Sequence, residues 1–521
     1  MNTIPEALEL AEIASRAGDF ARAQFIYEQI LKVSPEPQAL NGMGLVAIHA
    51  GRLDVAEDYL RRAIAAQPRN AAFQNNLSEL YRQQGRLDLA EACCRQALEV
   101  WPSAAQLHNN LGIILKEQKR FDESVASLTR AIELDPRPGY THYNLANTYT
   151  EMRALDLAEG SYRRALTMEP DSYDIHNNFA NVLDLQGQWS EALAELNASL
   201  RLKPDYAQAH RNHALHSLRL GNFAEGWPEY EWRWHVPGED RPTYSQPRWQ
   251  GQPLDGRTIL LCWEQGLGDT LQFIRYAPLV KSRGGHVVVQ CQSTLVPLLR
   301  NMPGIDGFAP AHTAGHDYYC PLMSLPAVFD TRLETIPRNV PYLFAEQERA
   351  LRWRQQLGGE RKLKVGIAWQ GSRGFRGDYY RSIPLAQLAP LARLANVQLF
   401  SLQRGFGREQ VGTFAESWPL VEFDDSFDAD GAFVDTAAVM MNLDVVITSD
   451  TAIAHLAGGL GVNVWVALQY SPNWRWLLKR ADSPWYPSMR LFRQARWGDW
   501  TELFERIAGE LASISAARGL S

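Results

Sequence analysis

Residues 44–68, GLVAIHAGRLDVAEDYLRRAIAAQP, contain one complete copy of a pattern that recurs along the first half of the chain. In this copy small or apolar side chains stand at Gly44, Ala56, Leu60 and Ala63. Its closing proline returns every 34 residues, at positions 68, 102, 136, 170 and 204. Proline ends a helix because it lacks the backbone N–H and its ring clashes with the preceding turn. The pattern therefore predicts repeated pairs of helices.

A period of 34 residues is that of the tetratricopeptide repeat (TPR), a helix–turn–helix unit. Pro35 ends an earlier unit, and a divergent last unit lies near residues 221–234, GNFAEGWPEYEWRW. About seven units therefore cover residues 1–235. Because such units stack into a superhelix with a concave surface, the sequence predicts an α-solenoid there.

Five asparagines recur at one position of successive repeats, on the first helix of each unit, and we call them the asparagine ladder. They are Asn76, Asn110, Asn144, Asn178 and Asn212. Asparagine is a poor helix former, so the ladder needs an explanation beyond helix propensity. Its amide offers both a donor and an acceptor, which suits an extended peptide backbone. The alternative is that these side chains cap helices or bridge neighbouring repeats.

Four histidines also recur with the repeat, at His108, His142, His176 and His210. Neighbouring helices lie about 8–10 Å apart, whereas a shared zinc ion needs its nitrogen ligands at about 2.0–2.1 Å. No Cys or carboxylate repeats beside them. We therefore expect these histidines to pack between helices or to line the groove.

The composition excludes several classes of protein. The net charge is −7, from 52 basic and 59 acidic residues without a basic block, which disfavours nucleic acid as the main partner. No run of about 18 apolar residues could span a membrane, and the first residues carry acids, unlike a signal peptide. The five cysteines form no CxxC pair. We therefore expect a cytoplasmic protein with reduced cysteines.

The pattern of apolar residues changes after a proline-rich linker at residues 236–256. Short apolar runs now alternate with helical patterns, which predicts a doubly wound α/β fold with parallel sheets. The runs are RTILLCW (257–263), HVVVQ (286–290), KVGIAWQ (364–370), VQLFSLQ (397–403), LDVVITS (443–449) and VNVWVAL (462–468). A helical stretch at 344–362 divides this half into lobes at 257–345 and 346–521. Ligands of such sheets bind at the carboxyl ends of the strands.

The segment CWEQGLGDTLQF, residues 262–273, joins a predicted strand to a predicted helix. It lacks the third glycine of a dinucleotide-binding loop, and Gln290 stands where that site needs an acid. No P-loop motif is present either. In a second such segment, LDVVITSDTAIAHLAGGLG (443–461), a helix begins near Asp450 and Thr451 and carries His455 one turn later. Its free N–H groups suit a diphosphate. The alternative is an ordinary helix cap with a buried histidine.

The stretches GLGDTLQFIRYAPLV (266–280) and DVVITSDTAIAHLAGGLGV (444–462) together resemble the ADP-heptose glycosyltransferases, which have the two-lobed GT-B fold. With the repeats in front, the chain resembles the bacterial TPR-containing glycosyltransferases, which include flagellin glycosyltransferases. The asparagine ladder resembles that of the O-linked N-acetylglucosamine transferases. The resemblance implies that the ladder binds an acceptor protein, with flagellin as one candidate.

The resemblance also implies roles for matching residues. Asp269 is the base that deprotonates the acceptor, with a helix cap as the alternative, while Gly266 and Gly268 let the loop approach the sugar. Asp450, Thr451 and His455 hold the nucleotide-sugar donor. The loop and strand-end residues Gln370, Ser372, Arg381 and Gln403 complete the donor site. Two departures are Ile383, in place of a tryptophan, and the short first lobe.

The pair Asp428 and Asp430 has the spacing that holds Mn²⁺ in another glycosyltransferase fold, but its polar context favours a solvated loop. We therefore expect no metal and no cofactor. The resemblance therefore implies an inverting, metal-independent transferase that moves a sugar from a nucleotide donor to Ser or Thr hydroxyls of a protein held by the repeats. The alternative is a TPR adaptor whose α/β part has lost catalysis.

Overall fold

The computed structural model describes residues 3–238, 243–310, 315–358, 362–372, 374 and 377–519. Its first part is helical, as the repeat pattern predicts. The helices are α1 Ile4–Arg16, α2 Phe20–Val33, α3 Pro37–His49, α4 Leu53–Ala66, α5 Ala71–Gln83, α6 Leu87–Val100, α7 Ala105–Glu117, α8 Phe121–Leu134, α9 Gly139–Glu151, α10 Leu155–Met168, α11 Tyr173–Gln186, α12 Trp189–Leu202, α13 Ala207–Leu220 and α14 Phe223–Tyr230. Every periodic proline follows the second helix of a pair by two residues.

The small residues of the repeat bring the two helices of a pair together. In the pair α7 and α8, Gly112 faces Leu128, whose side chain is fully buried. A Cβ added at Gly112 would stand 2.5 Å from Leu128 Cγ, closer than any two carbon atoms pack. The helices can therefore approach this closely only because residue 112 has no side chain. Ser124 Oγ reinforces the contact by donating to the carbonyl of Gly112 (2.7 Å).

The chain divides into two compact units, and the division does not fall at residue 235. The first unit comprises residues 1–183 and 201–204, and the second comprises 184–200 and 205–521. The last helices of the repeat array belong to the second unit because their aromatic side chains pack with its α/β part. Trp227 of α14 packs edge-on against Trp474 at 5.3 Å and donates its indole N–H to the carbonyl of Thr331 (2.9 Å).

The α/β part contains two sheets in which every strand pair is parallel. The strands are β1 Thr258–Cys262, β2 His286–Gln290, β3 Gly307–Phe308, β4 Tyr318–Pro321, β5 Leu363–Ala368, β6 Val397–Ser401, β7 Leu420–Val421, β8 Val445–Thr448, β9 Val464–Leu468 and β10 Met489–Arg493. The sheet orders are β3-β2-β1-β4 and β10-β9-β8-β5-β6-β7. All six strands predicted from apolar runs are present.

The helices of this part alternate with the strands. They are α15 Leu267–Phe273, α16 Ala277–Lys281, α17 Val296–Leu299, α18 Leu325–Val328, α19 Gln347–Leu357, α20 Asp378–Arg381, α21 Ala389–Ala392, α22 Val411–Ala415, α23 Val434–Met440, α24 Ala452–Leu460 and α25 Trp500–Ala517. Helix α19 lies inside the stretch predicted to separate the two lobes. Among the described residues, no helix combines the length and apolar character that crossing a bilayer requires.

The linker predicted at 236–256 lies partly outside the described residues, which omit 239–242. Its later part lies along the first sheet. Arg248 forms a parallel bridge with Tyr319 of β4, and the N–H of Trp249 donates to the carbonyl of Tyr319 (2.9 Å). Trp249 is fully buried, so this segment is part of the core.

Two glycine-to-alanine substitutions in the repeats should have opposite effects on stability. Gly112→Ala should lower the free energy of unfolding by about 1–3 kcal/mol, because the new methyl group overlaps Leu128. Gly160→Ala, in the interior of α10 with nothing within 4 Å of the added Cβ, is the matched control. It should raise stability by about 0.5–1 kcal/mol, since glycine is costly in a helix. Denaturant midpoints measure both, and equal shifts would contradict the packing role of Gly112.

Candidate functional site

The loop between β1 and α15 is fixed at both of its ends. At its start, Glu264 is buried, accepts from Arg233 Nε (2.8 Å) and accepts from the N–H of Met323 (3.0 Å). At its end, Asp269 Oδ2 accepts from the N–H of Gly266 (2.8 Å) across the first turn of α15. A carboxylate here also suits the positive end of the helix. Asp269 therefore forms the helix cap that was the alternative to its predicted role.

The other oxygen of Asp269 binds an arginine that the sequence patterns did not predict. Arg475 Nη2 lies 2.5 Å from Asp269 Oδ1, and the two residues are 206 positions apart in the chain. Arg475 also donates from Nε to Gln272 Oε1 (2.5 Å) and from Nη1 to Asn473 Oδ1 (3.0 Å). This ion pair joins helix α15, which follows β1, to the segment that follows β9.

Helix α24 begins where strand β8 ends, at the carboxyl edge of the second sheet. Thr451 is its N-cap residue, with extended backbone angles, and its hydroxyl lies 3.2 Å from that of Thr448. Asp450 is buried, and its carbonyl accepts from Arg381 Nη1 (2.7 Å). Burial raises the pKa of Asp450, while the guanidinium of Arg381 opposes this shift. Asp450, Thr451 and Arg381 therefore lie together at the start of α24.

His455 lies one turn further along α24 in a wholly buried aromatic setting. Its Nδ1 is 2.9 Å from the hydroxyl of Tyr486, and its ring stacks on Trp476 at 5.3 Å. Burial lowers the pKa of His455 well below its ordinary value, and the positive charge of Arg475 acts in the same direction. The imidazole is therefore neutral at physiological pH.

The two glycines of the loop serve different purposes. Gly268 lies against α24, where an added Cβ would stand 3.0 Å from His455 Cδ2 and 3.2 Å from Ala452 Cα. Its missing side chain thus allows α15 and α24 to touch, whereas the resemblance implies that this glycine gives room to a sugar. Gly266 is the N-cap of α15, and a Cβ there would meet only Asp269 Oδ2, at 3.4 Å.

Two of the remaining predicted donor residues bind within the protein. Gln403 is buried; its Oε1 accepts from the N–H groups of Trp369 (3.1 Å) and Gln370 (3.0 Å), and its Nε2 donates to the carbonyl of Phe406 (2.7 Å). It therefore holds the loops after β5 and β6 together, although the resemblance placed it in the donor site. Gln370 Oε1 accepts from Gln410 Nε2 (2.8 Å).

Ser372 and Arg381 belong to the loop and short helix that follow β5. Ser372 Oγ accepts from the N–H of Gly374 (3.3 Å), and the neighbouring residues 373, 375 and 376 lie outside the described residues. Arg381 Nε binds Asp378 Oδ1 (3.0 Å). Asp378 is buried and also accepts from Ser382 Oγ (2.7 Å). Arg381 is therefore oriented toward α24 by a carboxylate that the sequence analysis did not identify.

The asparagine ladder bridges consecutive repeats. Asn110 Nδ2 donates to Asn75 Oδ1 (2.6 Å), and Asn144 Nδ2 donates to Asn109 Oδ1 (3.0 Å). The same connection joins Asn76 to Asn41 (2.8 Å) and Asn178 to the hydroxyl of Tyr143 (2.7 Å). Asn212 Oδ1 accepts from Gln208 Nε2 (3.2 Å). All five ladder side chains stay partly exposed, so the bridges leave an edge at the surface.

Three of the four histidines at the second repeated position bind protein groups. Nε2 of His108 lies 2.9 Å from the carbonyl of Pro102, and His176 makes the same contact with Pro170. His142 is buried, and burial lowers its pKa. His210 stacks on Trp232 at 3.9 Å and binds Glu229 (2.6 Å). Across the described residues, no three His, Cys, Asp or Glu side chains are placed to share a metal ion.

Asp428 and Asp430, the pair with the spacing of a Mn²⁺ site, bind different partners. Asp428 caps α23, accepting from the N–H groups of Asp435 (2.7 Å) and Thr436 (3.0 Å). Asp430 binds Arg349 Nη2 (2.6 Å). Because each carboxylate already has a different partner, the two do not form a joint cation site.

Comparison with known sequences identifies the repeats. Models of the tetratricopeptide repeat match residues 8–71, 69–137 and 151–215. Protein FlbA of Caulobacter vibrioides is 28% identical in an alignment of 334 residues, which covers 58% of this chain and 54% of FlbA. The chain therefore spans about half the length of that relative.

Three solved structures that are similar to part of this chain are TPR proteins. TTC0263 of Thermus thermophilus is 27% identical and covers 34% of this chain and 98% of its own, with a TM-score of 0.32. YrrB, a TPR protein with an unusual peptide-binding site, is 20% identical and covers 34% and 92%, with a TM-score of 0.28. A protein from Parabacteroides merdae is 14% identical and covers 46% and 94%, with a TM-score of 0.39.

The neutral state of His455 should make the protein less stable in acid. The unfolded chain takes up a proton on this residue near its ordinary pKa of about 6.5, whereas the native state does not. Stability is therefore lost as the pH falls below that value, by up to about 1.4 kcal/mol per pH unit for one group. His455→Gln cannot take up this proton, so its stability should fall less between about pH 7.5 and 5.5.

Unfolding midpoints of both proteins across this pH range give the comparison. The other buried histidines contribute equally to both curves, and therefore cancel in the difference. Parallel curves for the wild type and the variant would show that His455 is not a neutral buried group.

Proposed function

We propose that the chain is a protein O-glycosyltransferase of the GT-B type. It transfers a sugar from a nucleotide-sugar donor to a Ser or Thr hydroxyl of a protein that the repeats bind. The reaction inverts the anomeric carbon and needs no metal ion. The proposal rests on one observation. Helices α15 and α24 touch at Gly268, and this contact brings Asp269 near the start of α24, where Asp450 and His455 lie. The resemblance of both motifs to the ADP-heptose glycosyltransferases supports the same chemistry.

Asp269 is suited to accept the proton of the acceptor hydroxyl. Its side chain is 21% exposed, so an acceptor can reach it. A carboxylate has about four lone-pair sites, and the bonds to Gly266 and Arg475 use one on each oxygen. As the proton moves to Asp269, the hydroxyl oxygen forms a bond to the anomeric carbon. The bond from that carbon to the diphosphate breaks, and its electron pair leaves with the phosphate.

The departing diphosphate needs positive charge, which the start of α24 and Arg381 supply together. The first N–H groups of a helix bind anions without help from side chains. Because Arg381 donates to the carbonyl of Asp450, its guanidinium stands at the same helix end. This charge is in place before the reaction, which is the most effective form of electrostatic stabilisation.

The asparagine ladder would present the acceptor. Its bridges use the Nδ2 atoms, and its partly exposed edge lies along the first helices of the repeats. Amide side chains suit an extended peptide because they pair with its backbone. We propose flagellin as the first acceptor to assay, on the resemblance to flagellin glycosyltransferases.

A second candidate function is that of a TPR adaptor without catalysis. One observation favours it: Gly268, Asp269 and Gln403 all make contacts within the protein. In an adaptor these contacts would serve stability alone. The adaptor therefore predicts no turnover of any nucleotide sugar and no effect of nucleotides on stability.

Two variants should separate donor binding from transfer. Asp269→Asn should lose transfer by at least about 100-fold, the usual contribution of a general base, and keep nucleotide binding. Arg381→Gln should instead lose nucleotide binding. Nucleoside diphosphates are screened by thermal shift, since a ligand at about 100 times its Kd adds about 2.7 kcal/mol of stability. Transfer from the matching nucleotide sugar is then measured in EDTA.

Arg408→Gln is the control, because the side chain of Arg408 is partly exposed and forms ion pairs with the surface carboxylates of Glu422 and Asp425. It should keep both binding and transfer. Normal turnover by Asp269→Asn would remove Asp269 as the base. Activity that EDTA abolishes and Mn²⁺ restores would refute the metal-independent mechanism. A wild type that neither binds nucleotides nor turns over any donor would support the adaptor.

Acceptor binding can be separated from repeat stability with two matched triple variants. The ladder variant changes Asn110, Asn144 and Asn178 to Ala. The partner variant carries Asn75→Ala, Asn109→Ala and Tyr143→Phe, and so breaks the same three bridges while keeping the ladder side chains. Each lost bond costs about 0.5–1.5 kcal/mol, so both should lose similar stability.

Only the ladder variant should lose affinity for the acceptor, by about 1.5–4.5 kcal/mol if the three contributions add. Titration calorimetry with the acceptor protein and thermal melts give the two quantities. Equal loss of acceptor affinity in both variants would mean that the ladder acts only as a bridge. Hydrolysis of the donor by water should be the same in both proteins.

A further inference from the structure

We propose that Arg475 is the positioning residue of the transfer reaction, acting through Asp269. The proposal rests on the proposed glycosyltransferase function and extends it to a residue outside both sequence motifs. Arg475 lies between Asn473 and Leu477, after β9, and its side chain is 8% exposed.

Arg475 holds helix α15 at two neighbouring points. Its Nη2 binds Asp269 Oδ1 and its Nε binds Gln272 Oε1, both at 2.5 Å. Asp269 and Gln272 are three residues apart on one helix, so their side chains share a face. Two donors of a planar guanidinium on one helix face fix both the distance and the rotation of that face.

The carboxylate of Asp269 is thereby fixed in direction. The Gly266 N–H holds Oδ2 from the side of its own helix turn, and Arg475 holds Oδ1 from the opposite segment. Bonds on both oxygens prevent the carboxylate from rotating about its last torsion. Its remaining lone pairs therefore point in a set direction.

The guanidinium is itself held in place. Asn473 Oδ1 accepts from both the backbone N–H (3.2 Å) and Nη1 (3.0 Å) of Arg475. The guanidinium lies 4.5 Å from the ring of Trp474 and 5.6 Å from that of Phe273, and both rings are buried. Arg475 thus has the supports that a positioning group needs, while the exposed side of the pair belongs to Asp269.

A base oriented by a third group is the recurrent arrangement of proton-transfer sites. The orienting group matters because a catalytic group that is displaced by about 1 Å costs about 100-fold in rate. Arg475 would therefore affect the proton transfer and not the affinity for the donor. This separates it from Arg381, which the proposed function places on the donor phosphates.

A double-mutant cycle tests this assignment in the full-length protein. Arg475→Met should lower kcat by about 100-fold, with the KM for the nucleotide sugar unchanged within about twofold. Arg475→Lys, which keeps one charged donor, should recover part of kcat. In the Asp269→Asn background, Arg475→Met should cause no further loss, because a group acting only through Asp269 has nothing left to position. Arg480→Met, at a partly exposed ion pair with Asp482, should leave kcat and KM unchanged.

The outcomes distinguish the two levels of the proposal. Losses that add in the double variant, or a KM that rises with Arg475→Met, would place Arg475 on the donor and overturn its positioning role. A wild type that turns over no nucleotide sugar overturns the proposed function, and this inference with it. If Arg475→Met does not fold, Arg475→Lys and Asn473→Ala carry the test, and unchanged kcat in both would also overturn it.

Discussion

The contact between α15 and α24 at Gly268 sets the geometry of the candidate site. Each helix begins at the carboxyl edge of a parallel sheet, where an α/β fold collects its loops. An added Cβ at Gly268 would stand 3.0 Å from His455 Cδ2 and 3.2 Å from Ala452 Cα, closer than most carbon contacts, so the absence of a side chain allows this close approach. The contact brings Asp269, from one sheet, toward Asp450 and His455, from the other. No local feature of either segment could achieve this alone.

Much of the fold follows from the sequence because it depends on local pairing. Proline disfavours the interior of a helix, so its 34-residue period marks the ends of the repeat pairs that the structure contains. Six strands were visible as apolar runs because buried parallel strands carry apolar residues on both faces. The strands β4 and β10 were not predicted, since YYCP and MRLFR mix polar or charged residues with apolar ones. The short β3 and β7 have two residues each and leave no pattern.

The candidate site was only partly predictable, for a different physical reason. Asp269, Asp450, Thr451 and His455 stand at strand-to-helix junctions, which sequence patterns reveal. Arg475 is 206 residues from its partner Asp269, and no spacing rule connects them. The structure also gives some predicted residues other partners: Gln403 joins two loops, and Gly268 packs against a helix. A glycine or an amide in a motif indicates a close approach or a hydrogen bond, but not which group is approached.

Two buried arginines hold the loop that carries Asp269 and a third follows helix α15, and stability alone does not explain them. Replacing a buried ion pair by packed apolar side chains is often neutral or stabilising. Arg233 binds Glu264 at the start of the loop, and Arg475 binds Asp269 at its end.

Arg275 donates to the carbonyl of Trp485 (2.8 Å) and to the hydroxyl of Tyr342 (2.9 Å), and its guanidinium lies 4.4 Å from the ring of Tyr486. Tyr486 in turn contacts His455, so this chain of contacts runs from the first sheet to α24. These three arginines share one property: each guanidinium fixes the orientation of a loop or a ring because it binds through several donors at once. Hydrophobic packing would hold the same segments together with less control over their rotation. The loop that carries Asp269 is therefore set by the protein's own charges before any ligand arrives. Such preorganisation is the condition under which a single carboxylate can act on a proton at a defined position.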